Sequence, residues 1–230
     1  MSKPWVTINC AMSLDGKIAL PSRRQTLLSC KEDLKRVHRL RNDSDAIVVG
    51  IGTVLMDDPK LLVKEKYVSS PSHPLRVILD SNLRISRNAQ VLKPGAPTLI
   101  VTTCKEDRYE DITIIRCGLP NKKVDLHQLL MYLGDRGIKK IMVEGGETVI
   151  WEFLRNNLVD ELFVFIAPVI IGGVTSPTLA GGTGAFTLES VIHMGIQRVR
   201  RLGDGVLIHC TPQKKNLDEE GEGLPAKRNL

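Results

Sequence analysis

Two short stretches place glycine where a backbone would have to approach an anion closely. Gly50-Ile51-Gly52-Thr53 and Glu144-Gly145-Gly146-Glu147-Thr148 each follow an apolar, strand-like run and open a helix-like one. Backbone N–H groups at a helix start form an anion site, and a side chain there would hold a phosphate away. Both loops suit a dinucleotide, although glycine serves tight strand-to-helix turns equally well. Neither is a G-x-G-x-x-G, because Leu55 stands where the last glycine would fall, and neither is a G-x-x-x-x-G-K-[ST]. A standard Rossmann or P-loop protein is therefore disfavoured.

Charged residues flank these loops. Arg41 falls in the last turn of a helix, where it either complements the helix dipole or clasps a phosphate as a bidentate fork. Glu144 stands at a strand tip, placed to accept hydrogen bonds from the amino groups of a heterocycle or to cap the helix that follows. Asp57 and Asp58 precede Pro59, the pattern of a helix-ending turn, and no third ligand accompanies them, so no metal site is expected. The five histidines sit in no paired context with Ser, Cys or Asp. Five cysteines without a C-x-x-C, and no H-x-E, exclude zinc ribbons and the zinc-deaminase signature.

The elements that must position these residues alternate. Strands are predicted at 5–12, 46–50, 75–79, 98–103, 112–117 and 140–143. A helix over 29–42 has Ser29 and Glu32 in capping-box spacing and Leu34, Val37 and Leu40 on one face. Further helices are predicted over 52–59, from Asp125 with Gln128 completing its cap, and over 148–157. This alternation implies an α/β fold, a mostly parallel sheet covered on both faces. After Glu161 the pattern changes to a strand over 162–170, a Gly/Ser/Thr/Pro-rich loop to Gly184, and an antiparallel pair near 191–200 and 205–211. Residues 1–211 are read as one domain and 212–230 as a polar, disordered tail. The apolar segment Leu162–Ile171, taken as a late edge strand, would be a liability if exposed, and this predicts a homodimer.

Composition narrows the classes. The chain has 230 residues, 42% hydrophobic and 25% charged, with no run of membrane-span length. The N-terminus lacks a signal-peptide plan, so a cytoplasmic protein with reduced thiols is expected, not a membrane one. A net charge of +6 suits phosphorylated anions, while only 4% aromatic residues disfavours base stacking and hence nucleic acid.

Taken in order, the blocks Asn9-Cys10-Ala11-Met12-Ser13-Leu14-Asp15-Gly16-Lys17-Ile18, Leu40–Ile47, Val49–Leu61, Val77–Ser81, Val143–Gly146 and Leu158–Leu162 with Ile166-Ala167-Pro168 resemble the riboflavin-biosynthesis reductase family. The resemblance runs from about residue 5 to 211. It implies a dihydrofolate-reductase-like three-layer α/β/α fold, NADPH as cofactor with NADH as the alternative, and reduction of the ribosyl group of a phosphorylated pyrimidine ribosylamine. No deaminase signature precedes the blocks, in which the chain resembles the archaeal members acting on the 2,5-diamino compound; the deaminated pyrimidine is the alternative substrate. By resemblance, Thr53, Asp57, Ser81, Gly145, Gly146, Glu147 and Thr148 would hold the cofactor. Asn9, Arg41, Leu61, Lys64 and Glu144 would meet substrate. The proton donor is left among Asp15, Lys17, Asp57, Glu144 and water. Two rivals are a folate-type reductase, which would want an acid on its first helix poised over a pterin and for which Asp33 is the stand-in, and a non-catalytic basic binding module.

Overall fold

The computed structural model describes residues 3–24, 26–105, 109 and 112–213. Its elements run β1 (Trp5–Ser13), α1 (Lys31–Asn42), β2 (Ala46–Gly50), α2 (Ile51–Asp57), β3 (Leu75–Leu79), β4 (Thr98–Thr102) and β5 (Thr113–Arg116). Then come α3 (Leu126–Asp135), β6 (Lys140–Gly145), α4 (Glu147–Arg155), β7 (Glu161–Ala167), β8 (Met194–Leu202) and β9 (Gly205–Pro212). All nine strands form one sheet in the order β5-β4-β3-β2-β6-β1-β7-β9-β8. The seven strands from β5 to β7 are parallel, and β9 and β8 add antiparallel to β7.

Buried on both faces, the inner strands read as continuous apolar runs, as Ala46–Gly50 does. One face packs Val6, Ile8, Val48 and Val143 against Leu129 and Leu133 of α3 and Ile150 and Phe153 of α4. The other packs Ile47, Val49 and Met142 against Val37 of α1 and Val54 of α2. Three layers result, as expected. The chain steps outward from β2 to β5, then α3 carries it back so that β6 inserts between β2 and β1. The carboxyl ends of β2 and β6 thus lie side by side where the strand order reverses, the place where open α/β sheets bind ligands.

Three expectations are corrected. Helix α1 is capped by Cys30, whose Sγ accepts from the Asp33 N–H at 3.5 Å, and not by Ser29. The segment after Glu161 is no edge: β7 lies between β1 and β9, and the edge is β8. Its strand also ends earlier, at Ala167, because Pro168 offers no N–H and the Asp15 carboxylate draws the Ile171 and Gly172 N–H groups into a turn at 3.0 and 2.6 Å. By contrast, Asp125 does cap α3, accepting from the Gln128 N–H at 3.1 Å. The tail expected at 212–230 falls, from residue 214 on, outside the described residues.

Candidate active site

The two glycine loops meet. A Cβ on Gly50 would stand 2.8 Å from Val149 Cγ2, so only glycine lets the end of β2 abut the first turn of α4. Cβ atoms on Gly145 and Gly146 would stand 3.4 and 3.5 Å from Thr53 Oγ1, and Gly146 holds φ at +82°, where a side chain is strained. Gly146 is the N-cap of α4 and supplies no side-chain cap, so the first-turn N–H groups of α4 face outward. The result is a backbone cradle beside a hydroxyl, fit for a phosphate group.

A cavity of about 900 Å³ opens from this junction. Its wall brings together Asn9, Arg41, Leu61 and Glu144 at one end and Thr53, Asp57, Gly146 and Thr148 in the middle, with Ser81 beyond them. Glu147 also lines it, but its carboxylate is engaged by Arg23 at 3.2 Å and by the Thr178 N–H at 3.1 Å. Gly145 is buried behind the wall, and Asp15, Lys17 and Lys64 stand off it. Asp15 serves the turn instead: the Ser13 hydroxyl donates to it at 2.6 Å, and with the Ile171 and Gly172 N–H groups lowers its pKa to about 2.

Arg41 and Glu144, read in the sequence as separate contacts, bind each other. Nε and Nη2 of Arg41 donate to Oε1 and Oε2 of Glu144 at 2.7 and 2.6 Å, a bidentate fork. Glu144 caps no helix. Burial opposes the Arg41 charge, but the facing carboxylate outweighs it and raises the pKa. A third donation, from Nη1 to the Leu62 carbonyl at 3.4 Å, ties the pair to the Pro59–Lys64 loop.

That loop is held from several sides. Asp58 and Leu61 have φ of +40° and +54°, conformations that cost a non-glycine residue energy and persist only under constraint. Buried Arg76 donates to the Lys60, Lys93 and Ala96 carbonyls. His38, 3% exposed and stacked on Tyr67, accepts from the Lys64 N–H at 3.2 Å. Burial, then Arg41, Lys64 and Lys66, lower its pKa to about 4.

Behind the wall, Arg36 donates to Asp33 at 2.8 Å and to Asn9 Oδ1 at 2.6 Å, lying over the Phe163 ring. Because guanidinium only donates, the Asn9 oxygen is consumed and its amide N–H group is left for the cavity. Asp33 itself is fully buried, paired and off the cavity wall. Cys10 on the wall is no nucleophile, since burial and then Asp33 push its thiol up to about 12. Sequence reasoning missed Arg36 as the partner of Asn9, and Arg23, Arg84 and Lys122 on the wall. Each is a common residue in a loop or on a helix, with no local pattern to mark it.

Residues 4–208 match the family model described as the RibD C-terminal domain. Among curated proteins, the chain is 38% identical over 218 residues to the 2,5-diamino-6-ribosylamino-4(3H)-pyrimidinone 5′-phosphate reductase of Archaeoglobus fulgidus, covering 90% of this chain and 97% of that protein. It is 39% identical over 215 residues to the protein of the same name from Methanothermobacter thermautotrophicus, covering 91% and 98%. A solved diaminohydroxyphosphoribosylaminopyrimidine deaminase/5-amino-6-(5-phosphoribosylamino)uracil reductase from Thermotoga maritima superposes with a TM-score of 0.78 at 26% identity. That match covers 92% of this chain but only 57% of the other.

Proposed function

The chain belongs to the RibD C-terminal domain family, and from that membership we propose that it reduces the ribosyl group of 2,5-diamino-6-ribosylamino-4(3H)-pyrimidinone 5′-phosphate to a ribitylamino chain, using NADPH. The observation that carries this reading is the near-complete match to reductases of that name at 38% and 39% identity. The cavity supports it with one end fit for a phosphorylated heterocycle and a middle fit for a dinucleotide. Fully buried, Arg36-paired Asp33 speaks against the folate-type alternative, which needs an acid facing the ligand.

The cradle of Gly146, Thr148 and Thr53 suits a pyrophosphate, because no Cβ fills it and the α4 N–H groups are open. Asp57 and Ser81 extend the same wall. A reduced nicotinamide bound there supplies the hydride. Ring opening of a ribosylamine moves its N–H proton to the released ring oxygen and leaves an imine, whose C1′ accepts the hydride while the nitrogen takes up the one further proton. The chain's own task is orientation, which needs no activated nucleophile. Arg41 and Glu144 offer a charged edge to the substrate, and the Asn9 amide offers a donor. Lys64, proposed to meet the substrate phosphate, stands off the wall with its backbone N–H held by His38. For the proton, Asp57 and Glu144 line the cavity, whereas Asp15, with a pKa of about 2, carries none at neutral pH.

Titration of the full chain with NADPH by fluorescence, followed by turnover of the pyrimidine ribosylamine phosphate with loss of reduced-nicotinamide absorbance, tests the reading. Saturable binding and turnover are expected. A folded chain that does neither refutes it.

The working form we propose is a cytoplasmic homodimer of one domain ending near residue 211. The dimer now rests on a different surface from the one the sequence suggested. Ile196, Val199 and Val206 of the β8–β9 hairpin are 65%, 55% and 37% exposed, beside an edge strand. Sedimentation at micromolar concentration should give twice the 25.5 kDa chain mass.

A further inference from the structure

A second cavity, of about 430 Å³, opens between α1 and the β8–β9 hairpin and shares no wall residue with the cleft. One side carries Arg36 and Arg39, three apart on α1 and so on one face of the helix. The other carries Arg198 and Arg200 of β8, which share a face of the sheet. They pair across to His209 and Leu207 on β9, and His209 pairs with Phe163 on β7. The floor between them is held in place. Phe163 and His209 stack with ring centroids 4.3 Å apart, and His209 Nε2 lies 3.0 Å from Glu161 Oε2. Arg36, over the Phe163 ring, is fixed by Asp33 and Asn9 through Nε and Nη2, and its Nη1 has no partner among the described residues. Nor, among those residues, do the side chains of Arg39, Arg198 and Arg200 have an acidic partner. Against them the groove sets one carboxylate, Asp43, which accepts from the Asn42 amide at 3.3 Å.

We infer that this groove binds a condensed phosphate chain, free or carried by a nucleotide, at a site separate from the cleft. Guanidiniums gathered in one concavity repel one another and focus a positive field, which an anion between them relieves. Arginine's planar fork matches phosphate oxygens. The volume lies at the low end of the roughly 300–1,000 Å³ of small-ligand sites. Residues two apart on a strand stand about 7 Å apart, so Arg198 and Arg200 with the α1 pair opposite them reach further than a single phosphate and suit a chain of two or three. The aromatic rings are engaged with each other and with Arg36, which leaves guanidinium N–H groups as what the groove offers a ligand. Charge on an edge strand also guards it against pairing with another sheet. Arg201, exposed on the opposite face of β8, does that equally well. Edge protection requires neither a facing wall from α1 nor a guanidinium fixed from behind. The groove also stays open in the proposed dimer, because Val199 and Val206 alternate with Arg198, Arg200 and Leu207 and so lie on the other face.

Calorimetric titration of the full chain with tripolyphosphate, ATP and orthophosphate, without magnesium and at about 0.15 M salt, separates the outcomes. The proteins compared are the wild type, Arg39→Ala, Arg200→Ala, their double variant, and Arg201→Ala as the control. All three arginines are exposed, so the variants keep the wild-type melting temperature. Saturable binding of tripolyphosphate to the wild type is expected, with orthophosphate at least about tenfold weaker. Each groove variant should lose about tenfold, the low end for a charge-assisted contact, while Arg201→Ala keeps the wild-type Kd. ATP should match tripolyphosphate to within about threefold, because the phosphate chain makes the contacts. Absence of saturable binding overturns the inference. So does an unchanged Kd in the double variant, which would put the anion in the cleft's own phosphate cradle. Arg201→Ala losing as much as Arg200→Ala would show diffuse attraction and also overturn it, as would orthophosphate binding as tightly as the chain or a preference for ATP beyond about tenfold.

Discussion

Breaking the Arg41–Glu144 pair from one side should cost more than removing it whole. The two side chains are 18% and 9% exposed and share two hydrogen bonds of 2.7 and 2.6 Å. Removing one partner of a buried pair leaves an uncompensated charge, at about 3–5 kcal/mol. Because Arg41 keeps some contact with solvent, the low end, about 3 kcal/mol, applies to Glu144→Leu. At this chain size that lowers the melting temperature by roughly 6–12 °C. Arg41→Met strands the carboxylate instead and should cost a similar amount. The double variant, with no charge left to desolvate, should be more stable than the sum of the singles predicts by about 2 kcal/mol. Urea unfolding of the four proteins, followed by tryptophan fluorescence, measures the cycle. Additive losses under about 1 kcal/mol each would show a solvent-screened surface pair and refute the reasoning. The same numbers govern activity assays, because a rise in KM on removing Arg41 reports on substrate only in variants shown to be folded at the assay temperature.

Other outcomes follow from single residues. His38 has a folded pKa of about 4 against an ordinary value near 6.5, so its contribution is full above about pH 6.5 and lost as pH falls toward 4. Between pH 7 and 4.5 this removes about 2–3 kcal/mol, and His38→Asn should flatten that part of a urea-derived stability profile. Gly146→Ala puts a methyl beside Thr53 Oγ1 at a φ of +82°. It should cost about 1–3 kcal/mol of stability and weaken NADPH binding in a folded protein, with unchanged affinity by calorimetry counting against the cradle. Arg76→Met leaves the Lys60, Lys93 and Ala96 carbonyls without their donor. A loss of about 2–4 kcal/mol is expected, together with faster proteolysis in the loop around Lys60; a melting temperature equal to the wild type would show that water replaces the guanidinium.

Periodicity and punctuation made the fold legible. Leu126, Leu129, Leu130 and Leu133 recur on one face of α3, and all four are buried. The glycine loops were legible because a backbone requirement, a left-handed φ at Gly146 and a close approach at Gly50, leaves little choice of residue. Pairings were not legible. Arg41 and Glu144 are 103 positions apart, and each alone satisfies a local rule, helix dipole or helix cap, that the folded chain does not use for Glu144. The same blindness turned β7 into an edge. An apolar run states that it must be covered but not by what, and its cover, β9, follows only after the long loop and β8.

The residues that choose among ligands are the hardest to read for a related physical reason. A cradle for a phosphate is made of backbone, so it constrains sequence through conformation. A cation that discriminates between two phosphates needs only charge, reach and the absence of a partner. Among the described residues Arg84 has no acidic partner, while Lys123, an equally basic residue on the same wall, is neutralised by Glu152 from α4. Which basic residue is available to a ligand is therefore set by tertiary pairing, and it becomes visible only when every carboxylate on the wall has been assigned to its own partner.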